Sequence, residues 1–270
     1  MSPTLFVFTA LACEAKPLIQ AWQLKKLTQY HPYAIYADAN RVLVVSGPGQ
    51  IAMAGAIGYV MGLFPNPHYP VLINLGIAGH SCKPLGTLLL ADKIINLSNA
   101  KNYYPQLPML INCETATVWT HTHAQMNYAE PCLYDMEAAG FYELAVKFSC
   151  SELIQCLKVV SDNRDTPLEH ITEAAVTSWL NTQLGPIEEL IEQCLAIRQQ
   201  LPALENKLFE QLITQFHFTA SSAIRLKNGL IKWQLLKPEE QPAWETAELK
   251  NGKDFLNWLE AELDKIEFYL

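Results

Sequence analysis

Four acidic residues stand where apolar runs begin or end, and that placement suggests chemistry. Asp135 and Glu137 flank Met136 just before the run Ala138 to Phe148, which has helical spacing. Asp162 follows Ser161 at the close of the apolar run Leu157–Val160. Glu14 follows the first apolar run, Leu5–Ala10. In open α/β sheets, ligands bind beyond the carboxyl ends of the strands. Two or more carboxylates gathered at such an edge suit acid-assisted cleavage of a bond to a sugar. Each carboxylate also has a plainer reading. Glu137 can sit at a helix start because the helix dipole favours it, and Asp162 can cap a following helix.

The elements that would position these groups alternate between strand and helix. Leu5–Ala10 reads as a buried strand, Leu11–Glu14 as a turn, and Ala15–Leu27 as a helix with Pro17 in its first turn. Tyr33–Tyr36 and Val42–Ser46 read as strands joined by a polar turn. Ser46-Gly47-Pro48-Gly49-Gln50 then leads into a helix at Ile51–Phe64. Glycines between a strand and a helix let backbone N–H groups face an anion or a polar ligand, although a GxG spacing equally fits a plain tight turn. Val71–Leu75 is a strand ending in Gly76-Ile77-Ala78-Gly79, small enough for a flat ligand to approach the backbone. Gly86–Leu97 is a long strand, Ser98–Leu110 a loop, and Ala116–Thr122 a further strand. His121 and His123 are two residues apart, as on one strand face, but a metal site needs a third ligand and none is evident nearby. Helices are expected at Pro167–Leu180 and Pro186–Gln200, where the alternation ends. Residues 201–270 read as a helical appendage with segments Leu204–Gln215, Ser221–Leu236 and Phe255–Tyr269. The last segment carries Phe255, Leu256, Trp258, Leu259, Leu263, Ile266 and Phe268 on its apolar side.

Composition narrows the function. The chain has 270 residues, room for one large α/β domain and a small appendage. A net charge of −8 argues against a nucleic acid or an anionic membrane as the main partner. Seven cysteines without a CxxC pair read as reduced thiols in a cytoplasmic protein. Cys13 beside Glu14 lacks the positive surroundings of a nucleophile. Leu5–Cys13 resembles a short signal core, but no Lys or Arg precedes it, and a first strand fits better. Arg225, Lys227 and Lys232 share one helical segment, which reads as a solvated face.

In this order, FTALACEAKPL, SGPGQIAMAGA, INLGIAGHS with PLGTLLLADKI, YDMEAAGFYELA and LKVVSDN resemble the purine nucleoside phosphorylase/nucleosidase superfamily. Within it they look most like the methylthioadenosine/S-adenosylhomocysteine nucleosidases, over roughly residues 4–200. The resemblance implies a three-layer αβα fold with a mixed central sheet. It assigns Asp162 as general acid to the purine N7, Ser161 as its orienting partner, and Glu137 after Met136 as the grip on the ribose hydroxyls. It assigns Glu14 to water activation, Ala78 and Gly79 to the lining of base and ribose, Pro48 to an apolar contact, and Trp119 to stacking on the base. It implies a homodimer, a role in methionine salvage, and neither cofactor nor metal. Lys158 stands where an arginine is common, and the stretch between Gly86 and the Trp119 strand is shorter than the family's by enough for a helix. Three functions remain open: a purine nucleoside hydrolase, a phosphate-dependent phosphorylase, and a nucleoside-binding protein without catalysis whose helical tail binds a protein partner. The first is favoured because all three carboxylates are present and the glycine turns contain no arginine for phosphate.

Overall fold

A computed structural model describes residues 3–64, 69–108, 113–125, 127–201, 207–237 and 240–266. The chain divides into two compact units, residues 1–200 and 201–270.

In the first unit the elements run β1 (Leu5–Thr9), α1 (Ala12–Ala21), β2 (Lys25–Lys26), β3 (Ala34–Ala37), β4 (Arg41–Val45), α2 (Gln50–Leu63), β5 (Val71–His80), β6 (Leu88–Asn96) and β7 (Lys101–Tyr103). They continue with β8 (Glu114–Thr120), β9 (Leu133–Asp135), α3 (Ala138–Ala145), β10 (Ile154–Asp162), α4 (Glu173–Thr182) and α5 (Leu184–Gln200). All ten strands belong to one mixed sheet. Strands β4, β1, β5 and β10 are neighbours in parallel, so their carboxyl ends share one edge. Beyond β10 the path continues through β6, β8 and β9 and returns to β5, closing a ring of five strands. Closure satisfies the backbone groups that a free edge would expose.

The residues of β1 show how the layers form. Phe6 and Phe8 join a core with Met53 and Ile57 of α2 and Phe141 of α3, while Leu5 and Val7 are equally buried but lie outside that cluster. Successive strand side chains point to opposite faces, so β1 is covered on both. Each buried Phe contributes about 1.5–3 kcal/mol relative to exposure. The fold is α/β, as the residue pattern predicts, with the mixed central sheet that the resemblance implies, and the candidate signal core is this central strand.

Several boundaries differ from expectation. The first helix begins at Ala12 and ends at Ala21, so Glu14 lies in its first turn and Pro17 inside it. The Gly76–Gly79 stretch continues β5 to His80 instead of ending it, and Val160–Asp162 of β10 absorbs the irregularity through a register shift. The expected loop after Leu97 contains β7, and its Met109 and Leu110 lie outside the described residues. His121 and His123 lie beyond the end of β8, so no strand face carries the pair. His121 instead stacks on Tyr134. Strand β9, only three residues long, has no readable periodicity.

The second unit contains α6 (Lys207–Gln215), α7 (Ala220–Leu236) and α8 (Gly252–Asp264). Leu212, Leu226, Trp233, Trp244, Phe255 and Leu259 form its own core. Asn251 caps α8, accepting from the Lys253 and Asp254 N–H groups at 3.0 Å each. Trp258 and Ile266 are partly buried against that core, whereas Pro202, Leu204 and Phe268 lie outside the described residues. Arg225 of the expected basic face is paired with Glu260 at 2.7 Å.

Candidate active site

The carboxyl ends of β1, β4, β5 and β10, with the segment after β9, enclose a pocket of about 170 Å³. Its lining includes Glu14, Pro48, Ala78, Gly79, Met136, Glu137, Ser161 and Asp162. Eight of the nine residues singled out from the sequence are thus together, although they span more than half the chain.

Glu14 is 2 % exposed and points inward from the first turn of α1. Its Oε2 accepts from the Ala10 and Leu11 N–H groups, both at 2.8 Å. Its Oε1 accepts from the Ile77 N–H at 2.8 Å. A Cβ on Gly76 would lie 2.9 Å from that oxygen, so a larger residue there would push on the Glu14 carboxylate. Burial is the largest influence on Glu14 and pushes its carboxyl up to about 7, against the pull of these N–H groups and of Lys158.

Glu137 stands at the start of α3 without capping it. The cap is Asp135, whose Oδ2 accepts from the Glu137 and Ala138 N–H groups at 3.2 and 2.8 Å. The same oxygen is 2.8 Å from Lys158 Nζ, and Oδ1 accepts from Thr120 Oγ1 at 2.7 Å. Asp135 therefore does the helix's work and leaves Glu137 facing the pocket. Glu137 Oε1 accepts from the Gly49 N–H at 2.7 Å. Gly47 and Gly49 have φ of 82° and 98°, a region that favours glycine. The anion greeted by the glycine turn is thus the protein's own carboxylate. Burial raises Glu137, and Lys158 opposes it.

Asp162 caps no helix either, because the turn after it is closed by Asn163, which accepts from the Asp165 and Thr166 N–H groups. Asp162 is 3 % exposed. The Ser161 hydroxyl donates to its Oδ1 and the Tyr128 hydroxyl to its Oδ2. Arg164 is turned to the backbone, donating to the Tyr128 carbonyl at 2.9 and 2.6 Å and to the Ala129 carbonyl at 3.0 Å.

Trp119 does not line the pocket. It is paired with Tyr134 across β8 and β9 and packs edge-on against that ring at 5.9 Å. The aromatic rings in the lining are Tyr128 and Tyr134. Sequence reasoning misses both: Tyr128 lies in an irregular segment 34 residues before its partner Asp162, and Tyr134 in the three-residue β9.

No Lys, Arg or His lines the pocket among the described residues. The nearby cation, Lys158, is 1 % exposed and engaged with Asp135. Burial works against its charge, but Asp135, Glu137 and Glu14 outweigh it and hold the ammonium above its usual range. Among the described residues, no group of three His, Cys, Asp or Glu side chains comes together to hold a metal.

No protein-family model and no curated protein matches the sequence. Solved structures do match by shape. The 5′-methylthioadenosine nucleosidase of Arabidopsis thaliana aligns with a TM-score of 0.61 and 17% identity, over 72% of this chain and 96% of that one. The chain has the nucleosidase fold. The 5′-methylthioadenosine/S-adenosylhomocysteine nucleosidase of Colwellia psychrerythraea, solved with adenine, gives 0.55 and 16%, over 72% and 96%. Futalosine hydrolase of Helicobacter pylori gives 0.56 and 12%, over 72% and 99%. The nucleosidase fold therefore extends over nearly the whole of each of these chains and under three quarters of this one.

Proposed function

We propose that this protein hydrolyses the N-glycosidic bond of a purine nucleoside, a 5′-modified adenosine such as methylthioadenosine or S-adenosylhomocysteine. The observation that carries this reading is a single pocket lined by four buried acidic residues, of which Asp135 is engaged with Lys158 and Glu14, Glu137 and Asp162 are not, with no cation in the lining among the described residues. Asp162, oriented by Ser161, hydrogen-bonds or protonates N7 of the base, so that the C1′–N9 bond breaks with the electron pair leaving on the purine. Glu137 accepts from the ribose 2′- and 3′-hydroxyls, and the sugar passes through an oxocarbenium-like state. Water attacks C1′ and gives its proton to Glu14, whose carboxyl at about 7 suits a base working near neutrality. Ala78, Gly79, Met136 and Pro48 line the space for base and sugar.

Phosphorolysis is disfavoured on charge. A phosphate site is normally built with cations, and the pocket presents carboxylates instead. The 5′-substituent is the open part of the substrate, since the similar folds include both methylthioadenosine and futalosine enzymes.

The same reading carries a homodimer, a place in methionine salvage and a cytoplasmic setting. Ile51, 90% exposed at the start of α2, supports a covered face, and seven free thiols support a reducing compartment. No helix among the described residues is long and apolar enough to cross a membrane. Residues 201–270, with a core of their own, form on this reading a separate helical module for a protein partner.

The test is product analysis. Purified protein is incubated with adenosine, inosine, methylthioadenosine, S-adenosylhomocysteine and futalosine, with and without phosphate, beside Asp162→Asn. Free base released without phosphate and lost in the variant is the expected result. Strict phosphate dependence would make the protein a phosphorylase, and binding without turnover would make it a nucleoside-binding protein.

A further inference from the structure

Both oxygens of Asp162 are engaged. Ser161 holds Oδ1 from the neighbouring position, whereas Oδ2 is held by Tyr128 from a distant segment. The phenol ring lies over Gly79 of β5. A Cβ at Gly79 would be 2.5 Å from Tyr128 Cε1 and 2.8 Å from Asp162 Oδ2, so glycine is what lets a flat ring reach this spot. Tyr128 is 2 % exposed and meets the Tyr134 ring edge-on at 5.1 Å. A flat ring against Gly79, hydrogen-bonded to Asp162, is what a bound purine would present there.

We propose that the Tyr128 side chain occupies the purine position and that a substrate base must displace it to reach Asp162. The inference rests on the nucleosidase reading of the pocket. Three further observations bear on it. The pocket holds about 170 Å³, below the roughly 300 Å³ at which ligand sites begin, and removal of the ring enlarges it. The Tyr128 backbone is anchored by Arg164, so displacement is a side-chain rotation about a fixed carbonyl. Burial and the Asp162 carboxylate both raise the phenol above its usual range, which keeps it a donor across the working pH. Tyr128 is therefore a specificity residue. A ligand offering only a sugar or an alcohol gains nothing at Asp162, whereas a planar base with a hydrogen-bonding edge replaces the ring and the bond together. Apparent affinity is lowered by the fraction of molecules in which the tyrosine is seated.

Calorimetric titration with adenine and with hypoxanthine tests this on the full chain, on Tyr128→Phe and on Tyr128→Leu. Removing the hydrogen bond that competes with the ligand should tighten base binding about tenfold in Tyr128→Phe. Tyr128→Leu, which also removes the flat ring, should bind at least as tightly as Tyr128→Phe and stands in should that variant not fold. In the wild-type protein, adenine should produce an ultraviolet difference signal of a buried tyrosine becoming exposed, and Tyr128→Phe should lack it. Equal or weaker binding by both variants, or a wild-type signal that persists in Tyr128→Phe, overturns the displacement while leaving the nucleosidase reading intact. Failure of every form to bind either base removes both.

Discussion

Lys158 and Asp135 form an ion pair at 2.8 Å with both side chains shut away from solvent. Removing one member of such a pair leaves a buried charge uncompensated, which typically costs about 3–5 kcal/mol. Here Lys158 also faces Glu137 and Glu14, so the loss extends to both pocket carboxylates. Lys158→Met should lower stability by about that amount in denaturant melts. The double variant with Asp135→Asn should recover part of it, because the unpaired carboxylate is then gone.

Activity should depend on pH through Glu14. The general base must be ionised, and burial sets its carboxyl at about 7. The rate constant kcat/KM should therefore fall as pH drops below neutrality, and a flat profile from pH 5 to 8 would remove Glu14 from that role. Stability runs the opposite way. The folded chain holds this proton above the ordinary carboxyl value of 4.5, so the folded state gains from protonation. That contribution is complete below about 4.5 and is lost as pH rises through 7, amounting to about 3 kcal/mol at most. In Glu14→Ala, melts between pH 5 and 8 should lose this part of their slope.

Ser161 should act on turnover more than on binding. Its hydroxyl donates to Asp162, whereas Glu137, the proposed ribose grip, accepts from the Gly49 N–H. Ser161→Ala should lower kcat by roughly ten- to a hundredfold with KM changed little, the pattern for an interaction that matters in the transition state. Glu137→Gln should show a different split, raising KM for ribosides while leaving the affinity for free adenine unchanged.

Helix α3 is pressed against the start of α2. A Cβ at Gly140 would meet the Gln50 carbonyl oxygen at 2.6 Å and the Gln50 Cα at 2.8 Å. Backbone cannot yield as a side chain can, so Gly140→Ala should cost about 1–3 kcal/mol of stability by overpacking. The displacement would also disturb the hydrogen bond that Asn96 Nδ2 donates to Gln50 Oε1 at 2.8 Å.

Glu14 and Asp162 are legible in the sequence because each follows an apolar run, and Glu137 because it opens one; parallel strands bring such strand ends to one edge. The α/β class is legible for the same reason. What escapes is whatever depends on distant pairing. From residue type alone Asp135 reads as one of two equivalent acids beside Met136; the resemblance picks out Glu137, and the contacts of Asp135 with Lys158, Thr120 and the α3 N–H groups give it its own part. Trp119 draws attention by its size, yet its ring packs beside Tyr134, while Tyr128 enters the pocket from a segment without periodicity. The continuation of β5 through Gly76–Gly79 is hidden because glycine ordinarily weakens a strand, and here β10 supplies the pairing that holds it.

The shortest of the ring strands has a disproportionate mechanical role. Strand β9 bridges β5 and β8 with Leu133, Tyr134 and Asp135, and the chain passes directly from it to Met136 and Glu137. The clasp that shuts the strand circuit and the hand that would hold the sugar are the same few residues. Release of that clasp would dismantle the proposed ribose subsite first, with β1, β4 and their helices still folded. Loss of function by this route would leave the global melting curve almost unmoved, while the amide of Tyr134 exchanged early with solvent deuterium.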